Sequence, residues 1–483
     1  MKPANYPEQP SHLWEHFYQF TRIPRPSFEE AAVRQYVIDQ AEACACRWQM
    51  DKAGNLVVYV PGSCGREQQG SVIIQNHLDM VTVKTEDKTH DFSRDPLQLK
   101  VEDGWLKADR TTLGADNGLG CAAALALMSD TGLSHPPLEL LFTVEEETGL
   151  GGAVELDASL LSGTRILNLD TEDWNELYVG CAGGAGHVFH RQYAGSYSDG
   201  LKHFHLNIKG LCGGHSGIQI HEQLGNAIKL LVDFLQGVNG VQLHRLQAGI
   251  AHNVIPREGD AWFACPIAEV DTLQQQLDRL VGHWLGYLPP ADHALKATLS
   301  VAESAAVISA DDSATLLALL AVFPHGAQSY NLTQPADLVD LSINLARVEL
   351  DTGLDEATLL IESSLRFFND DQSLPLRRAV ESLGYLAGMT VTAEAGYPSW
   401  QPDFDSALLA RGRALHKRLF TIDPAVKAIH AGLECGILKG KKPDVDVLSF
   451  GPTIRGAHSP GERLKIDTVA PFWQFLTTLL AEL

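Results

Sequence analysis

Between residues 12 and 150, apolar positions alternate between two periods. Residues 13–20 and 29–42 space them as one face of a helix, whereas residues 55–60, 71–80 and 138–144 are short apolar runs bounded by turn-formers, the pattern of buried strands. A helical run at 119–128 lies between the last two. The order predicts an α/β layer whose sheet is largely buried, with helices packed on its faces. Residues 166–169 and 176–179 add short strands, and CAGGAG, 181–186, reads as a glycine-rich break.

Past that break the spacing changes to longer strands followed by amphipathic helices. Residues 203–209 read as a strand, and in 223–235 Leu224, Ile228, Leu231 and Leu235 share one helical face. The second pattern continues through 249–268, a helix near 272–285, and strands around 338–348 and 357–366. A helix-strand alternation returns at 375–393, followed by helices at 405–419 and 469–483. The simplest parse is one domain inserted in another, 189–392 within 1–188 and 393–483, with no convincing internal repeat.

Composition narrows what such a chain can do. With 483 residues, 45% hydrophobic, it can bury a large core. Its 37 basic and 60 acidic residues leave a net charge of −23, so its average surface repels nucleic acid and anionic lipid. The opening MKPANYPEQPSHLWEHFYQF lacks a basic segment followed by an apolar run, and the longest apolar run, 316–323, is far short of the roughly 20 residues of a membrane span. A cytoplasmic protein without membrane or nucleic-acid partners is expected. The eight cysteines are scattered, as reduced core thiols are.

Five polar motifs interrupt the apolar pattern. In QNHLDMV, 75–81, His77 and Asp79 project to the same side of a strand, so the carboxylate can accept the ring N–H and fix the tautomer of a metal-binding imidazole. In TTLGADNGLG, 111–120, glycines flank Asp116 just before a helix and leave both its oxygens free to bridge two cations. GLGCAA also matches a dinucleotide fingerprint, but no strand precedes it. In FTVEEETGLGGA, 142–153, three acids end a buried strand, which is costly unless cations or protons neutralise them. Asp170 in ILNLDTE and His458 in GPTIRGAHSP each follow a short apolar strand. His77, Asp116, Glu147, Asp170 and His458 give each of two zinc ions three ligands if Asp116 bridges, and Glu146 is then placed as general base.

These motifs resemble the co-catalytic zinc exopeptidases related to aminoacylases and zinc carboxypeptidases, and over nearly the whole chain their aminoacyl-histidine dipeptidase branch. The resemblance implies a catalytic domain with a mixed, largely parallel sheet flanked by helices, plus an inserted α+β lid. It implies that His77, Asp116 and Asp170 hold one zinc, that Asp116, Glu147 and His458 hold the other, that Asp79 orients His77, and that Glu146 is the base. Glu146-Glu147 is the chosen register of the acidic triple because Thr148-Gly149 then completes E-E-x-G. GLCGGHSG, 210–217, NVIPRE, 253–258, and SSLRFF, 363–368, resemble lid segments, which makes His215, Asn253 and Arg366 the candidates for binding substrate. HAGLECG, 430–436, also resembles this branch, with no role assigned to His430 or Glu434.

The expected activity is hydrolysis of dipeptides with a free amino end, carnosine-like Xaa-His substrates included, with two Zn2+ per chain replaceable by Mn2+ or Co2+. An N-acyl amino acid deacylase or a tripeptidase shares the ligand pattern. A non-enzymatic peptide binder does not need Glu146, and GGHSG misses the spacing of a nucleophilic serine motif. Related enzymes suggest a homodimer formed through the lid.

Overall fold

The computed structural model describes residues 2–332 and 338–483. It divides into two compact units, one of Met1–Cys181, Trp400–Ala428 and Leu433–Leu483, the other of Ala182–Ser399 and Ile429–Gly432.

The first unit is built on an eight-stranded mixed sheet. Four neighbouring strands, Leu138–Thr143, Val72–His77, Arg165–Asn168 and Asp446–Ser449, run parallel. Every residue of the first two is buried, so apolar residues run on without alternation, as strands covered on both faces do. Leu56–Val60 joins antiparallel on one side and Glu176–Cys181 on the other. His77 stands opposite Thr143, and Gln75 opposite Asn168, so the segments leaving these carboxyl ends emerge side by side. Ligand sites of open α/β sheets form at such ends. The helix Ala115–Ser129, buried on nearly every side, packs between this sheet and the helix Ser11–Phe20. A small antiparallel sheet of Ile454–Arg455, Arg463–Lys465, Trp105–Ala108 and Leu99–Glu102 anchors the turn that carries His458.

The second unit is an antiparallel sheet of nine strands. In Leu201–Lys209, Phe204, Leu206 and Ile208 are buried while His205 and Asn207 between them are less so. The buried side chains join Leu231, Phe234, Trp284, Leu320 and Val380 from the helices Ala227–Gln236, Val270–Tyr287, Ala310–Val322 and Asp370–Leu386 in one core.

Three sequence expectations need correcting or completing here. Residues 181–186 are not a break: Gly183–Tyr193 is a continuous strand, and the glycines mark close approach rather than a turn. A Cβ on Gly184 would lie 2.7 Å from the ring of Tyr397, its partner on the next strand. The strand Gln242–Ala248 escapes the pattern because its register shifts between Leu243 and Arg245, which breaks the alternation. The helix Ala310–Val322 was also missed, although Ser309 caps it by accepting the Asp312 N–H at 3.0 Å, a readable start signal.

All eight cysteines are free thiols. Among the described residues no helix is long and apolar enough to cross a membrane.

Candidate metal centre

His77 is the last residue of its strand, buried with 1% of its side chain exposed. Its Nε2 lies 3.0 Å from Asp116 Oδ1 and 3.3 Å from Asp170 Oδ1. On the other side of Asp116, His458 Nε2 is 3.1 Å from Asp116 Oδ2 and 3.1 Å from Glu147 Oε2. Asp116 therefore turns one oxygen to each histidine. It can do so because the Ala115–Ser129 helix starts irregularly: Gly114 takes φ 65°, and Asp116 and Asn117 keep non-helical dihedrals. The Asp116 carboxylate thus stands at the head of the helix rather than along its flank.

Two donor groups result, His77 with Asp116 and Asp170, and Asp116 with Glu147 and His458. A third, His77 with Glu146 and Glu147, places Glu146 beside the same centre. Two ligands each about 2.0–2.1 Å from a tetrahedral ion stand roughly 3.3 Å apart, close to the 3.0–3.3 Å separations found. Nitrogen and oxygen donors of this kind suit zinc and its first-row neighbours.

Asp79 organises the surroundings. Its Oδ1 is 3.3 Å from His77 Nδ1, its Oδ2 accepts from the Ser27 hydroxyl at 2.7 Å, and its two oxygens accept the backbone N–H groups of Glu146 and Glu147 at 3.1 and 3.2 Å. One buried carboxylate thus ties the imidazole to the acidic turn. Glu145, at φ 55°, directs its carboxylate toward Gly151, which leaves Glu146 and Glu147 in the metal groups. Asp170 is held by the side-chain amide of Asn117, which also donates to Leu169 O at 3.0 Å. No local motif announces Ser27, and Asn117, though inside the glycine-rich motif beside Asp116, gives no sign in sequence of its distant partner Asp170.

The electrostatics are those of an acid-rich pocket short of positive charge. Burial pushes up the carboxyls of Glu146, Glu147 and Asp170. It also lifts Glu172 and Glu434 to about 8 and Glu462 to about 7. The histidine pKa values rise too, but toward the charged form. Hydrogen bonds to Asp116 and then Glu147 raise His458 to about 11. Burial alone would lower His77, but the charge of Asp170 and contacts with Asp116, Asp170 and Asp79 raise it well above its usual value. A divalent ion in a donor group would supply the missing charge.

His215, Asn253 and Arg366 belong to the second unit, which brings His215 and Arg366 together around one glycine and sets Asn253 beside Ser216. His215 and Val254 pair in a two-stranded ribbon, and Asn253 O accepts the Ser216 N–H at 2.8 Å. A Cβ on Gly217 would lie 2.9 Å from Arg366 Nε and 3.0 Å from His215 Cε1. Arg366 Nη1 donates to Tyr397 Oη at 3.3 Å, and its Nε is buried without a partner among the described residues. His430, which sequence reasoning left without a role, lies against the same glycine, its Nε2 2.7 Å from Ser342 Oγ. Glu434, the other unassigned residue, lies in the first unit and accepts from Thr143 Oγ1 at 2.6 Å and from Gln75.

Two histidine-carboxylate groups around one shared aspartate at the carboxyl ends of a mixed sheet, with a spare glutamate beside them, are the arrangement of a metallohydrolase. Residues 73–482 match the family model described as Peptidase family M20/M25/M40. The chain belongs to that family. It is 37% identical over 479 residues to the cytosol non-specific dipeptidase of Escherichia coli strain K12, covering 98% of each chain. The crystal structure of aminoacylhistidine dipeptidase from Vibrio alginolyticus superposes with a TM-score of 0.84 at 34% identity, over 98% of this chain and 97% of that one. A tripeptidase from Staphylococcus aureus shares the fold, with a TM-score of 0.63 at 14% identity over 98% and 97% of the two chains.

Proposed function

We propose that this protein hydrolyses dipeptides with a free amino end, Xaa-His substrates among them, in the cytoplasm, using two divalent ions, zinc foremost. The observation that carries this reading is the shared Asp116, whose two oxygens reach histidines 39 and 342 residues away at 3.0 and 3.1 Å. His77, Asp116 and Asp170 hold one ion, and Asp116, Glu147 and His458 the other. The bound ions lower the pKa of a water and polarise the scissile carbonyl.

The chain's own residues do the rest. Asp79 fixes the His77 ring and, through the Glu146 N–H, the position of the general base. Glu146 takes a proton from the attacking water and returns it to the leaving amine. Burial raises its pKa, His77 opposes that, and the charges of Asp170, Glu147 and Glu434 add to it; cations held beside it would bring it back toward the ionised form a base needs. His215 supplies positive potential where the oxyanion develops, and Asn253 and Arg366 receive the terminal carboxylate, to which a guanidinium fork is matched in geometry. The second unit acts as the lid, and two copies pair through it.

The deciding experiment is metal analysis combined with a substrate panel of free dipeptides, Xaa-His peptides, acetylated amino acids and tripeptides, before and after chelation. About two ions per chain and chelator-sensitive cleavage of free dipeptides are expected. Cleavage confined to acetylated amino acids would reassign the protein as a deacylase, and chelator-resistant activity would remove the metal mechanism.

A further inference from the structure

Two buried, oppositely charged side chains outside the ligand set grip the backbone that carries Asp116. Glu462, 3% exposed, accepts four consecutive N–H groups: Leu113 at 2.7 Å and Gly114 at 2.9 Å on Oε2, Ala115 at 2.8 Å and Asp116 at 3.4 Å on Oε1. Arg25, 2% exposed, donates to Gly114 O through Nη2 and to Leu78 O and Asp79 O through Nη1, both at 2.8 Å. The Gly114 residue is therefore held by its N–H on the anion and by its carbonyl on the cation. The same guanidinium reaches the segment that follows His77.

The glycines flanking Asp116 follow from this arrangement. A Cβ on Gly118 would come within 2.6 Å of Arg25 Nη2, and one on Gly114 would strike the same atom and lie 2.8 Å from Met80 Sδ. The loop is glycine-rich because a guanidinium lies against it, not only because of its backbone angles. Glu462 is also four residues after His458, in a turn where its N–H donates to Ser459 O at 3.0 Å. One turn thus meets Asp116 twice, through the His458 ring at its carboxylate and through Glu462 at its amide.

We propose that Arg25 and Glu462 are positioning residues of the metal centre, clamping residues 113–116 so that Asp116 stands between His77 and His458 before any ion arrives. The proposal rests on the two-ion reading above. Charge-assisted hydrogen bonds to a carboxylate are stronger than neutral ones, and four converging on one group hold a segment that helix formation does not, since Asp116 has ψ 112°. Partners of this kind, one step behind the ligands, commonly change metal affinity or activity 10–100-fold when removed.

The test has two arms. Hydrogen exchange on the chelator-treated wild-type chain should show the amides of 113–116 at least about a hundredfold slower than an unstructured peptide, and little changed by adding zinc. Exchange near the unstructured rate without metal overturns the proposal, and this arm needs no variant to fold. In the second arm, Co2+ absorption titrations compare wild type with E462Q and R25K. Glutamine turns an N–H2 toward backbone donors, and lysine loses the fork. Both variants should bind the second cobalt at least tenfold more weakly and lose 10–100-fold in kcat with KM within about twofold. A purely structural role would lower the melting temperature and leave cobalt affinity and kcat at wild-type values, which overturns the proposal. If wild type binds no cobalt at all, the two-ion reading falls and the proposal with it, a pattern distinct from variants that match a cobalt-binding wild type.

Discussion

Stripping the metal should make this protein steadily less stable as pH rises from 6.5 to 8, above the range in which His16, His325 and His430, held by burial down to about 4, 4 and 3, act in the opposite sense. Glu434 has no exposed surface, and burial lifts its carboxyl from 4.5 to about 8; Glu172 rises to about 8 as well. Such groups hold protons in the folded chain that the unfolded chain has released, so the stability they contribute, full below about pH 4.5, is lost as pH climbs toward 8. His458, raised to about 11, acts in the same direction from about pH 6.5 upward. Each tenfold shift in proton affinity corresponds to about 1.4 kcal/mol, so Glu434 alone accounts for a loss on the order of 2 kcal/mol between pH 6.5 and 8. For a unit of this size that is roughly 2–5 °C in melting temperature. The assay is a thermal melt every half pH unit, with chelator and with zinc. E434Q, which removes one of the protons, should flatten the chelated curve and be more stable than wild type at pH 8 but not at pH 5. A chelated wild-type curve that is level or rising between pH 6.5 and 8 would falsify the account of the pocket as acids lacking cations.

Three further outcomes are expected. Glu146→Ala should keep its full complement of metal, measured by elemental analysis, while kcat falls roughly 10²–10⁴-fold; near-normal turnover would remove Glu146 as the base. Arg366→Ala should raise KM for a dipeptide far more than for its C-terminal amide, and equal effects on both would mean that Arg366 does not receive the carboxylate. Gly184→Ala places a Cβ about 2.7 Å from the Tyr397 ring and should destabilise by roughly 1–3 kcal/mol in denaturant melts; an unchanged midpoint would show that the two strands can separate without cost.

The candidate ligands were legible because each sits where a strand or a glycine-bounded junction ends, and such ends leave a strong local trace: an apolar run, then a polar residue of ligating type. His77, Glu147 and Asp170 all follow this rule. The inserted unit was legible more coarsely. Its helices were visible by period, yet a register shift hid the strand Gln242–Ala248. The glycines of 183–186 looked like a break because sequence does not show that Tyr397 lies across from them.

Local chemistry along the chain therefore determined the elements, the residue types of the centre and the family they resemble. What only tertiary structure decided was pairing over long separations: that Asp79 binds the amides of Glu146 and Glu147, that Asn117 holds Asp170, and that Arg25 and Glu462 meet on Gly114. An arginine near the start of a chain and a glutamate near its end carry no mark of each other. Each became a partner only when strand register and one small sheet brought their loops within hydrogen-bonding distance, because a buried charge must find its counter-groups wherever the fold supplies them.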